Sequence, residues 1–199
     1  MEPMDPFTTH TGRIAVEPED NIDTDRIIPA RFLSRVSRSG YGELLFADVR
    51  GGSFPLDQPA AQGASILVTG TNFGCGSSRE HAVWAIQQAG FKAVIAKRTP
   101  TSPGYSDIFR QNSANCGLLL VELNESDHAQ LVGAGSGAEV TVDLPNQSVT
   151  LNGRSFPFEI NEVTKQALVQ GLDLIGTTLI YDAAIRQYEE KSQAYVPGK

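Results

Sequence analysis

The chain has 199 residues, 40% of them hydrophobic, which fits one domain spanning residues 1–199 with a real core. Its net charge of −7 argues against a nucleic-acid partner, which usually meets a basic face, and no apolar run approaches the ~20 residues that span a membrane. Residues 1–6 lack the pattern of a secretory signal, and the two cysteines are too few for a disulfide framework, so we expect a cytoplasmic protein.

The first third of the chain is predicted to hold a strand, a turn, a helix and a loop. Residues 13–16, Arg-Ile-Ala-Val, predict a short strand, and the turn formers of residues 20–25 follow it. Residues 27–36 are amphipathic and are entered through Pro29, which is tolerated in a first helical turn. We therefore expect a helix over 27–36 and a loop over 51–63.

The middle of the chain predicts a βαβ unit. Residues 66–69 predict a strand, the apolar run 82–89 predicts a helix that ends near Gly90, and residues 93–96 predict a second strand. Such a crossover implies that the two strands are parallel.

The remainder of the chain predicts a helix and a strand, then a hairpin and two further helices. Residues 105–115 predict a helix ended by Gly117, and residues 118–121 a third strand. Residues 139–144 and 148–151 alternate around Pro-Asn-Gln, as in a hairpin. Helices are expected over 161–170 and from Gly176 onward, and residues 190–199 are expected to fray.

A glycine-rich segment between the predicted strand and helix predicts an anion site. Residues 74–81 read Gly-Cys-Gly-Ser-Ser-Arg-Glu-His; a helix start aims N–H groups at an anion, and Arg79 adds a fork that matches a carboxylate. A Walker A loop is excluded because no Lys precedes the Ser. A dinucleotide fingerprint is excluded because Arg79 occupies the third glycine position. The alternative is an ordinary βα turn.

The two serines of this segment have two interpretations. Ser77 or Ser78 can cap the helix; alternatively one caps and the other reacts, since a helix N-terminus and an arginine both lower a hydroxyl pKa. His81 is more often a structural group than a ligand. No His, Cys, Asp and Glu residues have metal-site spacing, and two cysteines cannot supply the thiolates of an iron–sulfur cluster.

Charged residues upstream also have two interpretations. Residues 21–26 could form only an Asx turn, or Asp25 could orient an imidazole or pair with an arginine in a site. Arg31, Arg35 and Arg38 have a spacing that places them on one helical face. That face is either solvated or adjacent to the acidic end of a substrate or partner.

Four segments resemble the small-subunit family of 3-isopropylmalate dehydratases, in the aconitase superfamily. Residues 21–33 read Asn-Ile-Asp-Thr-Asp-Arg-Ile-Ile-Pro-Ala-Arg-Phe-Leu, and residues 72–85 contain the Gly-x-Gly-Ser-Ser-Arg-Glu-His-Ala segment that is specific to the superfamily. Residues 90–96 and a fourth segment in two parts, 107–109 followed by 115–120, continue the likeness in the same order, so it covers roughly residues 10–185.

The resemblance implies an α/β fold, the three-layer β/β/α swivelling domain of aconitase-like enzymes, with the βαβ crossover unit and additional C-terminal helices. It implies a hydro-lyase, active only with a large subunit that holds the [4Fe-4S] cluster, which isomerises 2-isopropylmalate and 3-isopropylmalate in leucine biosynthesis. By similarity, Ser77 is the base that takes the carbon-bound proton, and Ser78 and Arg79 bind a substrate carboxylate. Asp25 and His81 would support the site or contact the partner, and the Arg31–Arg38 stretch would shape substrate choice.

Residues 97–106 depart from the family pattern. They form an insertion with two prolines, which predicts a loop at the end of a strand, where ligand sites of α/β proteins gather. The related alternatives are the small subunit of homoaconitase or of a citraconate or methylmalate hydratase. An alternative of another class is a small-anion binding module without catalysis.

Overall fold

A mixed seven-stranded sheet organises the part of the chain that the structure describes, residues 4–34, 37–77, 79–179 and 181–191 of a computed structural model. The strands are β1 (Thr9–Glu17), β2 (Ile66–Thr69), β3 (Ala93–Arg98), β4 (Leu119–Asn124), β5 (Glu139–Asp143), β6 (Ser148–Leu151) and β7 (Arg154–Pro157). The helices are α1 (Thr24–Ile27), α2 (Glu80–Gln88), α3 (Asp107–Cys116), α4 (Glu125–Ala134), α5 (Glu162–Gln170), α6 (Leu174–Leu179) and α7 (Asp182–Lys191). Short 3-10 turns occupy Ala30–Phe32, Gly42–Leu44, Pro55–Asp57 and Pro59–Ala61.

The strand order is β4-β3-β2-β1-β5-β6-β7. The first four strands pair in parallel, with Ile14 opposite Ile66 and Ile66 opposite Ala93, which confirms the predicted βαβ unit. From β1 onward the pairing is antiparallel, and the predicted hairpin joins β5 to β6. The glycine-rich segment follows the C-terminal end of β2, one of the parallel strands.

Two cores lie on the two faces of the parallel half, which gives the expected β/β/α layering. Alternate strand residues such as Leu67 and Val94 face α2 and α3. Their neighbours Ile66 and Ile95 belong to a second core, which also holds buried residues of the antiparallel half, α4 and α5: Val140, Val142, Val149, Phe156, Leu131 and Leu168. Period-two alternation therefore sends each strand's side chains into two different layers.

Side-chain caps fix the starts of three helices. Ser106 caps α3, Asn124 caps α4 and Asn161 caps α5, each accepting from a backbone N–H two or three residues ahead. Gly117, in the left-handed conformation at φ 78°, ends α3 as predicted. Helix α4 and strand β7 were not among the predicted elements.

The predicted helix over 27–36 is wrong. Helix α1 ends at Ile27, and Ile28 is extended at φ −143° because it precedes Pro29, which disfavours helical geometry in the residue before it. A single 3-10 turn, Ala30–Phe32, follows. Residues 35 and 36 lie outside the described residues.

The other boundaries differ from the predictions by a few residues. Strands β1, β3 and β4 are longer than expected, and the last predicted helix is two helices, α6 and α7. The loop predicted at 51–63 contains two 3-10 turns. Of the segment 190–199, residues 190 and 191 belong to α7 and the rest lie outside the described residues. That the chain is a single domain stays a prediction.

Candidate functional site

The glycine-rich segment forms a tight turn between β2 and α2, which we call the glycine turn, residues 72–77. Gly74 and Gly76 have φ of 74° and 84°, values that residues with a Cβ atom rarely adopt. A Cβ on Gly74 would lie 2.3 Å from Cγ of Phe109, far inside van der Waals contact. Gly74 is therefore required both by its backbone and by its packing.

The polar turn predicted at 20–25 lies alongside the glycine turn. The hydrogen bonds that join the two segments include Gly74 N to Ile22 O (2.8 Å), Thr24 N to Cys75 O (3.0 Å) and Thr24 Oγ1 to Ser77 O (2.6 Å), and Asn21 N donates to Thr71 O (2.9 Å) just before the glycine turn. Ile22 and Phe73 are fully buried beneath them. Two segments about 50 residues apart in sequence thus form one backbone unit.

Asp25 forms an ion pair with Arg79 across this unit. The neighbouring Asp23 forms the Asx cap, accepting from Arg26 N at 2.7 Å, so the cap of α1 does not use the carboxylate of Asp25. The Arg79 side chain is 19% exposed and that of Asp25 is 50% exposed. The pair therefore lies at the surface, with the guanidinium more deeply set than the carboxylate.

The serine cap predicted for α2 is wrong for Ser77. The helix begins at Glu80, and its N-cap position is held by Arg79, whose side chain makes no capping hydrogen bond. Ser77 lies three residues before the first helical residue and is exposed, while its carbonyl is engaged by Thr24. Ser78 lies outside the described residues. Ser77 is therefore exposed, two residues before Arg79 in the chain.

His81 lies in the first turn of α2 within an aromatic group. Its ring centroid is 5.4 Å from that of Tyr41 and 4.7 Å from that of Trp84. The side chain of Gln88 fixes the segment that carries Tyr41, accepting from Tyr41 N and donating to Arg38 O. His81 is therefore a half-buried neighbour of the site whose surroundings are aromatic.

The three arginines do not share a helical face, contrary to the prediction. Arg31 belongs to the 3-10 turn Ala30–Phe32, where it is exposed and paired with Asp48. Arg35 lies outside the described residues. The guanidinium of Arg38 lies 5.0 Å from the ring centroid of Trp84, so it is the described arginine of this stretch that packs on α2.

Neither cysteine has the character of a metal ligand. Burial, with a smaller contribution from Asp23, raises the pKa of Cys75, and its thiol donates to Asn21 O at 3.5 Å. Burial first and Glu80 second raise the pKa of Cys116 to about 12. Within the described ranges, no group of three or more His, Cys, Asp or Glu side chains could hold a metal ion.

Across the part of the chain that the structure describes, none of the helices is long and apolar enough to cross a membrane.

Sequence reasoning missed the residues that shape the backbone around the site. Asn21 and Asn72 both have positive φ, 60° and 53°, and their side-chain amides are joined by a hydrogen bond of 2.9 Å. The signal available was the tolerance of Asn for left-handed geometry. The predicted loop at 97–106 begins after Arg98, where β3 ends, and packs against the glycine turn.

Comparisons with known proteins agree with the geometry. The family model for the aconitase C-terminal domain matches residues 4–126, and the model described as LeuD_N matches residues 129–162. The small subunit of 3-isopropylmalate dehydratase from Shewanella sp. (strain W3-18-1) is 46% identical over 205 residues, covering 96% of this chain and 99% of that protein. The one from Bacillus cereus (strain AH820) is 41% identical, covering 96% and 100%.

A solved structure is similar as well. The crystal structure of a 3-isopropylmalate dehydratase from Methanocaldococcus jannaschii matches with a TM-score of 0.66 and 29% sequence identity. The match covers 91% of this chain and 99% of that one.

Proposed function

The chain belongs to the family of 3-isopropylmalate dehydratase small subunits, and from that premise we propose that it acts with a large subunit to interconvert 2-isopropylmalate and 3-isopropylmalate in leucine biosynthesis. The reaction removes and restores water. The observation that carries the proposal is that Ser77 is exposed and that Arg79, two residues further along the chain, forms an ion pair with Asp25.

Ser77 is proposed as the base that takes the carbon-bound proton. A serine hydroxyl can act so only when its alkoxide is stabilised, and positive charge nearby favours the ionised form. Two sources of positive charge lie next to Ser77 along the chain, the guanidinium of Arg79 and the N-terminus of the nine-residue helix α2. Its exposed position leaves the hydroxyl accessible to substrate from outside the chain.

Arg79 and Ser78 are proposed to bind a substrate carboxylate. A guanidinium presents two parallel N–H groups that match a carboxylate. Asp25 is proposed to orient this guanidinium, because it already holds one of its nitrogens. Arg31, Arg35 and Arg38 are proposed to influence which hydroxy acid is accepted, with Arg38 the best placed through its contact with the α2 residue Trp84. His81 is proposed to support α2 near the partner.

A [4Fe-4S] cluster, which the family implies, does not fit the described residues of this chain. Cys75 and Cys116 both have raised pKa values and lie in different elements, and the described residues offer no group of three metal-binding side chains. We therefore propose that the cluster belongs to the large subunit and that this chain supplies the proton-transfer and carboxylate-binding groups. We further propose a cytoplasmic setting, in agreement with the two free cysteines.

The experiment is turnover of 3-isopropylmalate by the chain co-purified with its large subunit, comparing Ser77→Ala with wild type. Loss of a catalytic base should lower kcat by about two to four orders of magnitude. Ser155→Ala, an exposed serine on β7, is the matched control and should leave kcat unchanged. Wild-type kcat in Ser77→Ala would refute the base assignment, and turnover by this chain alone would refute the shared site.

The same assembled enzyme distinguishes the substrate. The ratio of kcat/KM for 3-isopropylmalate to that for homocitrate should favour isopropylmalate. A preference for homocitrate would assign the chain to a related hydro-lyase, and binding of either acid without turnover would make it a binding module.

A further inference from the structure

The glycine turn is held from a second side by the loop that follows β3, which we call the supporting loop, residues 99–106. Asn72 N donates to Pro103 O and Phe73 N donates to Gly104 O, both at 2.8 Å. In return, Ser106 Oγ donates to Gly74 O at 2.7 Å. These bonds tie three consecutive residues of the glycine turn to the supporting loop.

A single peptide group within the supporting loop is fixed at both ends. The carbonyl of Pro103 accepts from Asn72, and the N–H of the same peptide unit, on Gly104, donates to the carboxylate of Glu122. Because a trans peptide is planar and its N–H and C=O point in opposite directions, the acceptor on one side sets the direction of the carbonyl on the other. Glu122 therefore determines where the Pro103 carbonyl points.

Glu122 is itself held firmly. Its side chain is 15% exposed, and Oε1 also accepts from Nη2 of Arg110 at 2.5 Å. The guanidinium of Arg110 lies 5.3 Å from the ring centroid of Tyr105, a fully buried residue whose hydroxyl donates to Val94 O at 2.7 Å. A Cβ on Gly104 would lie 2.7 Å from Oε1 of Glu122, so only glycine permits this approach.

We propose that Glu122 is a positioning residue for the dehydration reaction, acting through the Pro103–Gly104 peptide and the glycine turn on Ser77 and Arg79. The inference rests on the proposed function, because it concerns the same site. It assigns a catalytic consequence to a carboxylate that lies on β4, outside the glycine turn, and whose partners are Gly104 and Arg110. A small misplacement of a reacting group is sufficient to cost about 100-fold in rate.

The first test is the kinetics of the assembled enzyme with two substitutions. Glu122→Ala removes the acceptor from Gly104 N–H and should lower kcat about 10- to 100-fold. Glu122→Gln keeps an oxygen acceptor for that N–H, although it loses the charge partner of Arg110, and should recover kcat to within about threefold of wild type. Glu159→Ala is the matched control, because Glu159 is 89% exposed and 3.8 Å from Arg98 at the same edge of the molecule; it should behave as wild type.

The second test probes the backbone of the glycine turn and does not depend on a measurement of activity. Amide hydrogen exchange of Asn72 and Phe73 should accelerate in Glu122→Ala, whereas exchange of Leu67 in the core of β2 should not change. A merely structural role would accelerate all three together and lower kcat only where the protein unfolds. Such uniform acceleration, or wild-type kcat in Glu122→Ala, would overturn the inference.

The two tests separate the inference from the proposed function. In one outcome, amide exchange accelerates selectively at residues 72 and 73 of Glu122→Ala while the wild-type complex fails to turn over isopropylmalate. That outcome would refute the proposed function and, with it, the catalytic consequence of Glu122. Only the structural coupling would then remain. Turnover by wild type with unchanged exchange in Glu122→Ala would refute the inference alone.

Discussion

Replacing Gly74 with alanine should destabilise the chain because the new Cβ has no room. Its position lies 2.3 Å from Cγ and 2.5 Å from Cδ2 of Phe109, whereas carbon atoms in favourable contact are about 3.5–4.0 Å apart. Phe109 is 1% exposed, so its ring cannot turn into solvent. Overpacking of this kind costs about 1–3 kcal/mol, and the left-handed backbone adds about 1–2 kcal/mol.

Gly63 provides a control with a similar φ and no neighbour. Its φ is 72°, against 74° for Gly74, and a Cβ there would meet nothing within 4 Å. Gly63→Ala should therefore lose only the conformational part of the free energy of unfolding. The difference between the two variants, about 1–3 kcal/mol, isolates the collision with Phe109.

Urea unfolding at neutral pH measures this difference. With an m value of about 2 kcal/mol per molar, the two midpoints should be separated by about 0.5–1.5 M urea. Adding Phe109→Leu should be less costly in the Gly74→Ala background than in wild type, giving a favourable coupling of about 1 kcal/mol or more in a double-mutant cycle. Equal midpoints for Gly74→Ala and Gly63→Ala would refute the packing argument.

Three further outcomes are expected. Asp25→Asn should lower kcat/KM of the assembled enzyme about 10- to 100-fold by releasing the Arg79 guanidinium, whereas Asp57→Asn, which breaks the Arg50 pair, should not. Burial lowers the pKa of His128, so the unfolded chain binds a proton at this imidazole more readily than the folded chain does. Stability should therefore fall as pH drops below about 6.5. Urea unfolding at pH 7.5 and 5.5 should show this fall, and it should be smaller in His128→Gln. With its pKa near 12, Cys116 should react with iodoacetamide at pH 8 about three orders of magnitude more slowly than a free thiol, and equal rates would contradict its burial.

The parallel half of the sheet could be predicted from sequence because buried parallel strands are continuously apolar. All four residues of β2 and the first four of β3 are buried, and each strand is followed by a helix. Strand β7 was missed although the sequence holds a signal for it. Strand β7 follows the Asn152-Gly153 turn, whose φ values are 49° and 78° and whose sequence is typical of a tight hairpin.

The region 27–36 could not be predicted because its conformation depends on distant partners. The spacing of its apolar residues fits a helix, yet Ile27 O accepts from Phe46 N at 2.8 Å instead of continuing a helical ladder. Ile27, Ile28 and Phe46 are fully buried together. Tertiary burial and Pro29 therefore outweigh a local periodicity that favours a helix.

For the candidate site, the residue types were easier to predict from the sequence than their geometry. The glycine turn, Arg79 and an arginine partner for Asp25 could be identified from the residues, whereas the choice of Ser77 as the base came from the resemblance. The capping prediction was wrong for Ser77 because α2 begins only at Glu80, and Thr24, a residue more than 50 positions away, engages the carbonyl of Ser77. The contribution of the supporting loop depends on strand order, which places β3 and β4 beside β2.

On the proposed function, a site shared between two chains makes a particular demand on this one. Ser77 and Asp25 must be exposed before assembly, yet ordering a flexible segment on binding would oppose association. The glycine turn meets both conditions, since its backbone is bonded to residues 21–24 on one side and to residues 103–106 on the other. Side chains at the open face are thus carried on a backbone that is already hydrogen-bonded to both flanking segments. On the proposed function, this explains why half of a site can be built and held without the partner that completes it.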